Sequence, residues 1–297
     1  MATATAVSTL HASLLELIRV ASTVLPDDVV RAVSAAKTAE ASGSNAAYAF
    51  DVICGNIDLA KQRSQPLCQD TGSILFYIDC PVGYDQTAFA ATAIAAVREA
   101  TAKGYLRQNS VDPVTGFNSG DNIGPGNPAL HFQQHDHDHV EVRLMLKGGG
   151  CENVGAQYSL PHPELGGRDL RGVENAILHC VHQAQGQGCG PGILGVCIGG
   201  DRATGYEESK VQLLRLLDDV NPDELLAGME RRIVEKANAS GIGPMGFGGK
   251  ATLLACKIGK RNRVPASFFV TISYMCWAYR RQGVRLAADG AIAAWLY

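Results

Sequence analysis

Apolar side chains recur at helical spacing through the first sixty residues. From Val7 to Val24, Leu10, Leu14, Leu15 and Ile18 fall at the three-to-four-residue interval of one helix face. Leu25-Pro26-Asp27-Asp28 restarts the chain, and a proline followed by acids starts a second predicted helix reaching about Glu40. Ala41-Ser42-Gly43-Ser44 interrupts the pattern, and a third helix covers about Asn45 to Arg63. The segment 7–63 is therefore predicted to be helical.

The period then changes. Gln65-Pro66-Leu67-Cys68-Gln69-Asp70-Thr71-Gly72 is a loop, flanked by proline and glycine, before a strand at Ile74–Asp79. Thr87 to Ala102 is an alanine-rich helix that Gly104 can end in a left-handed cap. Tyr105 to Pro128 is loop-like, and Val140 to Leu146 alternates as a strand with one wet face. Further helices are predicted at Arg171–Gln185, about Glu207–Leu217 and Asp223–Ser240. Strands are predicted at Ile193–Ile198, Leu253–Ile258 and Ser267–Ser273, with glycine loops at 186–192 and 241–249. No linker, repeat or low-complexity tract divides the chain. The pattern predicts a mixed α/β fold, helices packed around mixed β-sheet, in a single domain over 1–297.

Composition narrows the class. The 297 residues are 46% hydrophobic and 19% charged, as in a globular protein rather than a disordered one. A net charge of −3 supplies no basic excess for nucleic acid or an anionic membrane. No apolar run is long enough to span a bilayer, and Met1 to Thr9 lacks the basic start of a signal peptide. A cytoplasmic location is expected. The glycine clusters match neither a dinucleotide fingerprint, since Gly186-Gln187-Gly188 precedes a strand, nor a P-loop.

The nine cysteines are odd in number, in a chain long enough to need no disulfide framework. Cys54, Cys80, Cys180, Cys197 and Cys256 lie within apolar patterns and read as core residues. Cys68 and Cys189 sit in loops, and Cys276 ends an apolar run beside Trp277. These three are either further buried thiols or ligands of an iron–sulfur cluster; closely paired cysteines of the zinc type are absent. Three thiolates would leave one iron open to substrate. The run His131-Phe132-Gln133-Gln134-His135-Asp136-His137-Asp138-His139 invites a metal reading, against which stands a solvated loop edge.

Several blocks, in order, resemble the iron–sulfur hydro-lyases: class I fumarate hydratase and the α subunit of L(+)-tartrate dehydratase. They are Cys68-Gln69-Asp70-Thr71-Gly72, Tyr105-Leu106-Arg107, Lys147-Gly148-Gly149-Gly150-Cys151-Glu152-Asn153, Cys189 with Pro191 and Gly195–Gly200, Gly241–Lys250, and Cys276-Trp277-Ala278 with Arg280-Arg281. The resemblance runs from about Pro26 to Gly283. It implies a [4Fe–4S] cluster on Cys68, Cys189 and Cys276, and a small dicarboxylic acid substrate. Gln69 and Asp70 match substrate-site positions, with Asp70 either positioning substrate or moving a proton. Arg107 matches a carboxylate-binding arginine, and Gly149, Gly150 and Asn153 would bring backbone close to substrate. Cys151 stands beside the site without being an expected ligand.

Two positions depart from that pattern. The family histidine roughly a dozen residues before the last cysteine falls at Val264, and Gly190 separates Cys189 from Pro191. The resemblance also includes a second, β-type half that 1–297 does not match, so an α2β2 assembly with a β subunit is expected. The leading expectation is reversible hydration of fumarate to malate. L(+)-tartrate dehydration is the alternative, and a non-catalytic cluster-binding sensor is favoured only by Val264.

Overall fold

A computed structural model describes residues 4–297. In chain order the elements are α1 (Ala4–Thr23), α2 (Asp27–Ala39), α3 (Asn45–Arg63), β1 (Ser73–Pro81), α4 (Gln86–Ala102), β2 (Ala129–His135), β3 (Val140–Lys147), α5 (Gly149–Asn153), β4 (Ala156–Ser159), α6 (Leu170–Ala184), β5 (Gly192–Gly199), α7 (Arg202–Gln212), α8 (Glu224–Ala239), β6 (Leu253–Arg261), β7 (Phe269–Met275), β8 (Arg281–Leu286) and β9 (Ile292–Trp295). The fold class is mixed α/β, as the sequence pattern predicts. The chain divides into two compact units, each assembled from separated segments. The first comprises the chain up to Asp27, Asn56–Gly148 and Arg280–Tyr297; the second comprises Asp28–Gly55 and Gly149–Tyr279.

The first unit is built on a five-stranded sheet in the order β2-β1-β3-β8-β9. Only β1 and β2 run parallel; the remaining neighbours are antiparallel. Alternation separates its two faces. Ile74, Phe76 and Ile78 of β1, Val142, Leu144 and Leu146 of β3, and Val284 and Leu286 of β8 share one core with Leu14, Leu17 and Ile18 of α1 and Phe89, Ala93 and Val97 of α4. The intervening positions carry charge. Arg143 joins Asp79 and Glu141, and Arg285 joins Glu141, across three adjacent strands. Asp85 caps α4 by accepting from Ala88 N at 2.9 Å, and Gly104 ends it with φ +77°.

The second unit holds a four-stranded sheet in the order β4-β7-β5-β6, with β5 buried along its whole length. A strand covered on both faces reads as a continuous apolar run, as Ile193–Ile198 does. Leu194, Val196, Cys256, Ile258, Val270 and Ile272 share a core with Val173, Ile177 and Cys180 of α6 and Leu226, Met229 and Ile233 of α8. Smaller groups meet α7, where Ser273 and Ser209 hydroxyls are 2.8 Å apart.

The structure moves one predicted helix, and it shifts the strand predicted at Ser267–Ser273 to Phe269–Met275. α7 starts at Arg202 rather than near Glu207 and stops at Gln212 rather than Leu217. Asp201 forms a capping box with Thr204, and Gly205, which weakens the helical pattern there, is needed because a Cβ would stand 2.6 Å from Thr271 Oγ1. The short strands β4 and β9, and the arginine-bearing β8, carry no strong alternating signal. Val140–Lys147 alternates only over its first half; from Leu144 onward it is buried throughout. No helix among the described residues is long and apolar enough to cross a membrane.

One buried carboxylate ties the second unit together. Glu230 Oε1 accepts from Arg215 Nη1 at 2.8 Å, Asn221 Nδ2 at 2.8 Å and the Ile258 amide at 2.7 Å. Removing it leaves the buried Ile258 amide without its acceptor and takes one of two carboxylates from Arg215, which keeps Asp219. Glu230→Ala is expected to lower the unfolding free energy by about 3 kcal/mol in urea melts, and Glu230→Gln by less.

Candidate functional site

In the first unit the Cys68–Gly72 loop is held at both ends. The Leu67 amide donates to Ser22 O at 2.9 Å, and Leu67 O accepts from Asn56 Nδ2 at 2.8 Å. At the other end Gly72 has φ +76°, and a Cβ there would stand 2.2 Å from Lys147 O. Only glycine allows this approach to the end of β3. Between these anchors Cys68 and Asp70 are half-buried, Gln69 is exposed and Thr71 is buried.

Thr71 Oγ1 accepts from the Arg107 amide at 3.0 Å and from Asn109 Nδ2 at 3.1 Å. The buried side chain of Asn122 completes the frame. Its Nδ2 donates to Arg107 O at 2.7 Å, and its Oδ1 accepts from the Asn109 amide at 2.7 Å. The Arg107 backbone is thus fixed on both sides while its side chain stays exposed. Asp70 lies over Gly148: a Cβ at Gly148 would be 2.9 Å from Asp70 Oδ2 and 3.6 Å from Arg280 Nη2. Lys147, Arg280 and Arg281 are all buried. Sequence reasoning placed these three cations inside motifs without giving them a role; the signal was a charged residue ending the otherwise apolar run Val140–Leu146 and an arginine pair beside Cys276.

In the second unit Cys189 follows the short 3-10 turn Gln185–Gly188 and adopts the left-handed conformation, φ 53° and ψ 56°. Tyr274 sets this loop. A Cβ at Gly188 or Gly192 would stand 2.4 or 2.3 Å from its ring, so the ring occupies the space both glycines leave. Cys276 follows β7 directly and is buried. The Trp277 amide donates to Cys189 O at 3.3 Å, which puts the Cys189 and Cys276 segments side by side. Burial first, then the thiols of Cys276, Cys151, Cys180 and Cys189, push the Tyr274 hydroxyl up and keep it protonated. The second glycine loop backs this arrangement, with the Met245 amide donating to Gly190 O at 3.0 Å.

α5 carries Gly149, Gly150 and Asn153, all exposed, with Cys151 buried beneath them. The Lys210–Glu152 pair, 2.8 Å, joins it to α7. The structure therefore gathers Cys68, Gln69, Asp70 and Arg107 in one unit, and Gly149, Gly150, Asn153, Cys189 and Cys276 in the other. Val264 lies in an exposed loop, 65% accessible.

Among the described residues, no three His, Cys, Asp or Glu side chains surround one metal-ion position. The adjoining Cys189 and Cys276 are nevertheless two soft thiol donors on neighbouring segments, the donor chemistry that iron–sulfur clusters use. The His135, His137 and His139 rings cluster with centroids 5.1–5.5 Å apart, and His135 Nδ1 is taken up by the His137 amide. Of the cysteines read as core, Cys80, Cys180, Cys197 and Cys256 are buried, whereas Cys54 is half-buried on α3. Burial pushes Cys180 and Cys197 up to about 12, with Glu208 reinforcing the effect at Cys197.

The chain belongs to the fumarate hydratase (Fumerase) family, whose model matches residues 11–285. It is 52% identical over 293 residues to a protein of Geobacillus stearothermophilus provisionally named class I fumarate hydratase. That match covers 97% of this chain and 57% of the relative, so the chain spans little more than half the relative's length. It is 31% identical over 270 residues to the L(+)-tartrate dehydratase subunit alpha of Escherichia coli K12, covering 90% of this chain and 88% of that subunit. A Methanocaldococcus jannaschii protein provisionally given the same subunit name is 32% identical over 284 residues, 93% of this chain and 97% of its own.

Two outcomes test this geometry. Thr71→Val removes the acceptor shared by Arg107 and Asn109. It should cost about 1–2 kcal/mol in urea melts and speed hydrogen exchange at the Arg107 amide. A thiol raised to about 12 is only about 10⁻⁴ thiolate at pH 8. Iodoacetamide at that pH should therefore label Cys68 in the metal-free chain and leave Cys180 and Cys197 unlabelled until the chain unfolds, as read by peptide mass spectrometry.

Proposed function

We propose that this chain is the cluster-bearing α component of a hydro-lyase that reversibly hydrates fumarate to malate. The observation carrying this reading is the 52% identity, along 97% of the chain, with a relative named as a class I fumarate hydratase. Cys68, Cys189 and Cys276 are the proposed thiolate ligands of a [4Fe–4S] cluster. An incompletely ligated cluster of that kind supplies an open, Lewis-acidic iron.

The chain's own residues do the rest. Arg107, on a rigid backbone with an open side chain, binds one substrate carboxylate through its planar fork. Asp70 holds the substrate or carries the proton that leaves the carbon next to a carboxylate. Gln69 and Asn153 offer amide contacts, and Gly149 and Gly150 allow the substrate to approach backbone closely. Pre-set donors around the developing negative charge lower the barrier without reorganising during reaction.

A β-type partner, in an α2β2 assembly, is part of the proposal. It is supported by the shares of length matched: 57% of the Geobacillus relative against 88% of a subunit named alpha. L(+)-tartrate dehydration is the second reading, favoured by that same near-complete match to a tartrate dehydratase subunit. A location in the cytoplasm accords with both readings.

The test is anaerobic reconstitution with iron and sulfide, followed by assay with the β-type partner on malate and on L(+)-tartrate. Turnover of malate in preference to tartrate is expected. Replacing Cys68, Cys189 or Cys276 by Ser should each abolish the cluster chromophore, while Ser at Cys54 or Cys180 should not. Equal iron content in all five variants would refute the ligand set, and turnover of neither acid by an iron-loaded complex would refute the enzymatic reading.

A further inference from the structure

Among the described residues, the partly and fully buried arginines follow a rule with one exception. Arg19 pairs with Glu16, Arg143 with Asp79 and Glu141, and Arg215 with Asp219 and Glu230. Arg281 lies over the Tyr297 ring, its Cζ 4.3 Å from the centroid. Arg280 is 1% exposed, yet its Nε and Nη1 have no hydrogen-bond partner. A guanidinium stays charged at any physiological pH, so it cannot relieve this burial by losing its proton. Buried charges are ordinarily paired or bound to an ion.

The position of Arg280 is tightly fixed. Its carbonyl accepts from the Leu146 amide at 2.9 Å, which ties it to the end of β3. From there Nη2 points at Gly148, 3.6 Å from where a Cβ would stand. Asp70 Oδ2 borders the same point at 2.9 Å, and buried Lys147 is the preceding residue. Gly148, lacking a Cβ, thus lets a buried cation and a site carboxylate pack against the same backbone point. Arg280 Nε and Nη1 therefore lack an acceptor, and a planar two-oxygen anion is the group that matches a guanidinium fork.

We propose that Arg280 binds a carboxylate of the diacid substrate, from the Gly148 side and next to Asp70. This rests on the hydro-lyase reading above and adds to it a residue that selects for the diacid. Arg107 and Arg280 then serve as two cations for a substrate with two carboxylates.

The test uses the cluster-reconstituted complex with its partner subunit, carrying Arg280→Gln or Arg280→Lys. The probe is succinate, a diacid with no double bond or hydroxyl to react, titrated by calorimetry, with butyrate as the single-carboxylate control. In Arg280→Gln the succinate Kd is expected to rise about 10- to 100-fold, the usual worth of a hydrogen bond to a charged group. The preference for succinate over butyrate should fall, and KM for the reacting diacid should rise by more than kcat drops. Arg280→Lys, which keeps the charge and loses the fork, should fall between; it carries the test if the glutamine variant does not fold. An unchanged succinate Kd in a folded, cluster-loaded variant whose only change is lower thermal stability would make Arg280 a structural cation and overturn the inference alone. A wild-type complex that neither binds succinate nor turns over a diacid would overturn the hydro-lyase reading and this inference with it.

Discussion

The contact on which the first unit's candidate site depends is a backbone-to-backbone approach, Gly72 against the Lys147 peptide. A Cβ at Gly72 would overlap the Lys147 carbonyl, so the loop can close only with hydrogen at that position. Closing it brings Asp70 over Gly148 and lets Thr71 hold Arg107 and Asn109. The second unit uses the same device with a side chain in place of a carbonyl. The Tyr274 ring fills the volume that Gly188 and Gly192 give up, and Cys189 is carried on that packed turn. In both cases precision comes from missing side-chain volume filled by a rigid neighbour, as dense interiors require.

Charge is distributed differently in the two kinds of region. Across the polar face of the first sheet, acids and bases alternate and neutralise one another through Asp79, Arg143, Glu141 and Arg285. Such partly solvated pairs contribute little to stability. At the end of β3 Lys147, Arg280 and Arg281 are all buried, and Arg280 Nε and Nη1 have no hydrogen-bond partner. Buried donors left unsatisfied in that way are costly to fold around and are a mark of sites that receive a charged ligand. The thiols divide in a comparable way: Cys180 and Cys197 are locked as neutral core groups, while Cys68 and Cys189 keep partial access to solvent.

Much of this was legible in the sequence where a residue's chemistry is local. Period-3.6 and period-2 patterns gave α3, α4, β5 and α8 within a residue or two, and Asp85, Asp169 and Asp223 act as caps where acids precede apolar repeats. The cysteine-bearing loops were recognisable from their proline and glycine flanks. What escaped was set by tertiary contact. β8 reads Arg281-Gln282-Gly283-Val284-Arg285-Leu286, too polar to register as a strand, and it lies between β3 and β9 because its backbone groups pair there. Gly205 is the point where α7 meets Thr271, a contact that sequence pattern does not show. Arg280 stands in the sequence only as part of a motif, and the structure reveals it as buried with Nε and Nη1 unsatisfied. The absence of a linker follows from the same cause: the two units are discontinuous, so no single stretch of sequence marks a boundary.

That discontinuity orders the birth of the protein on the ribosome. The first sheet lacks β8 and β9 until residues beyond 280 have emerged, leaving β3 with one open edge throughout synthesis of Gly149–Tyr279. The sheet of the second unit, by contrast, lies wholly within that intervening stretch and can close first. Exposed edges invite pairing with other chains, and long-range closure is slow. The unit that carries Asp70 and Arg280 is therefore the one that matures last, and the interval before its edge is sealed is when a nascent chain most needs protection from its neighbours.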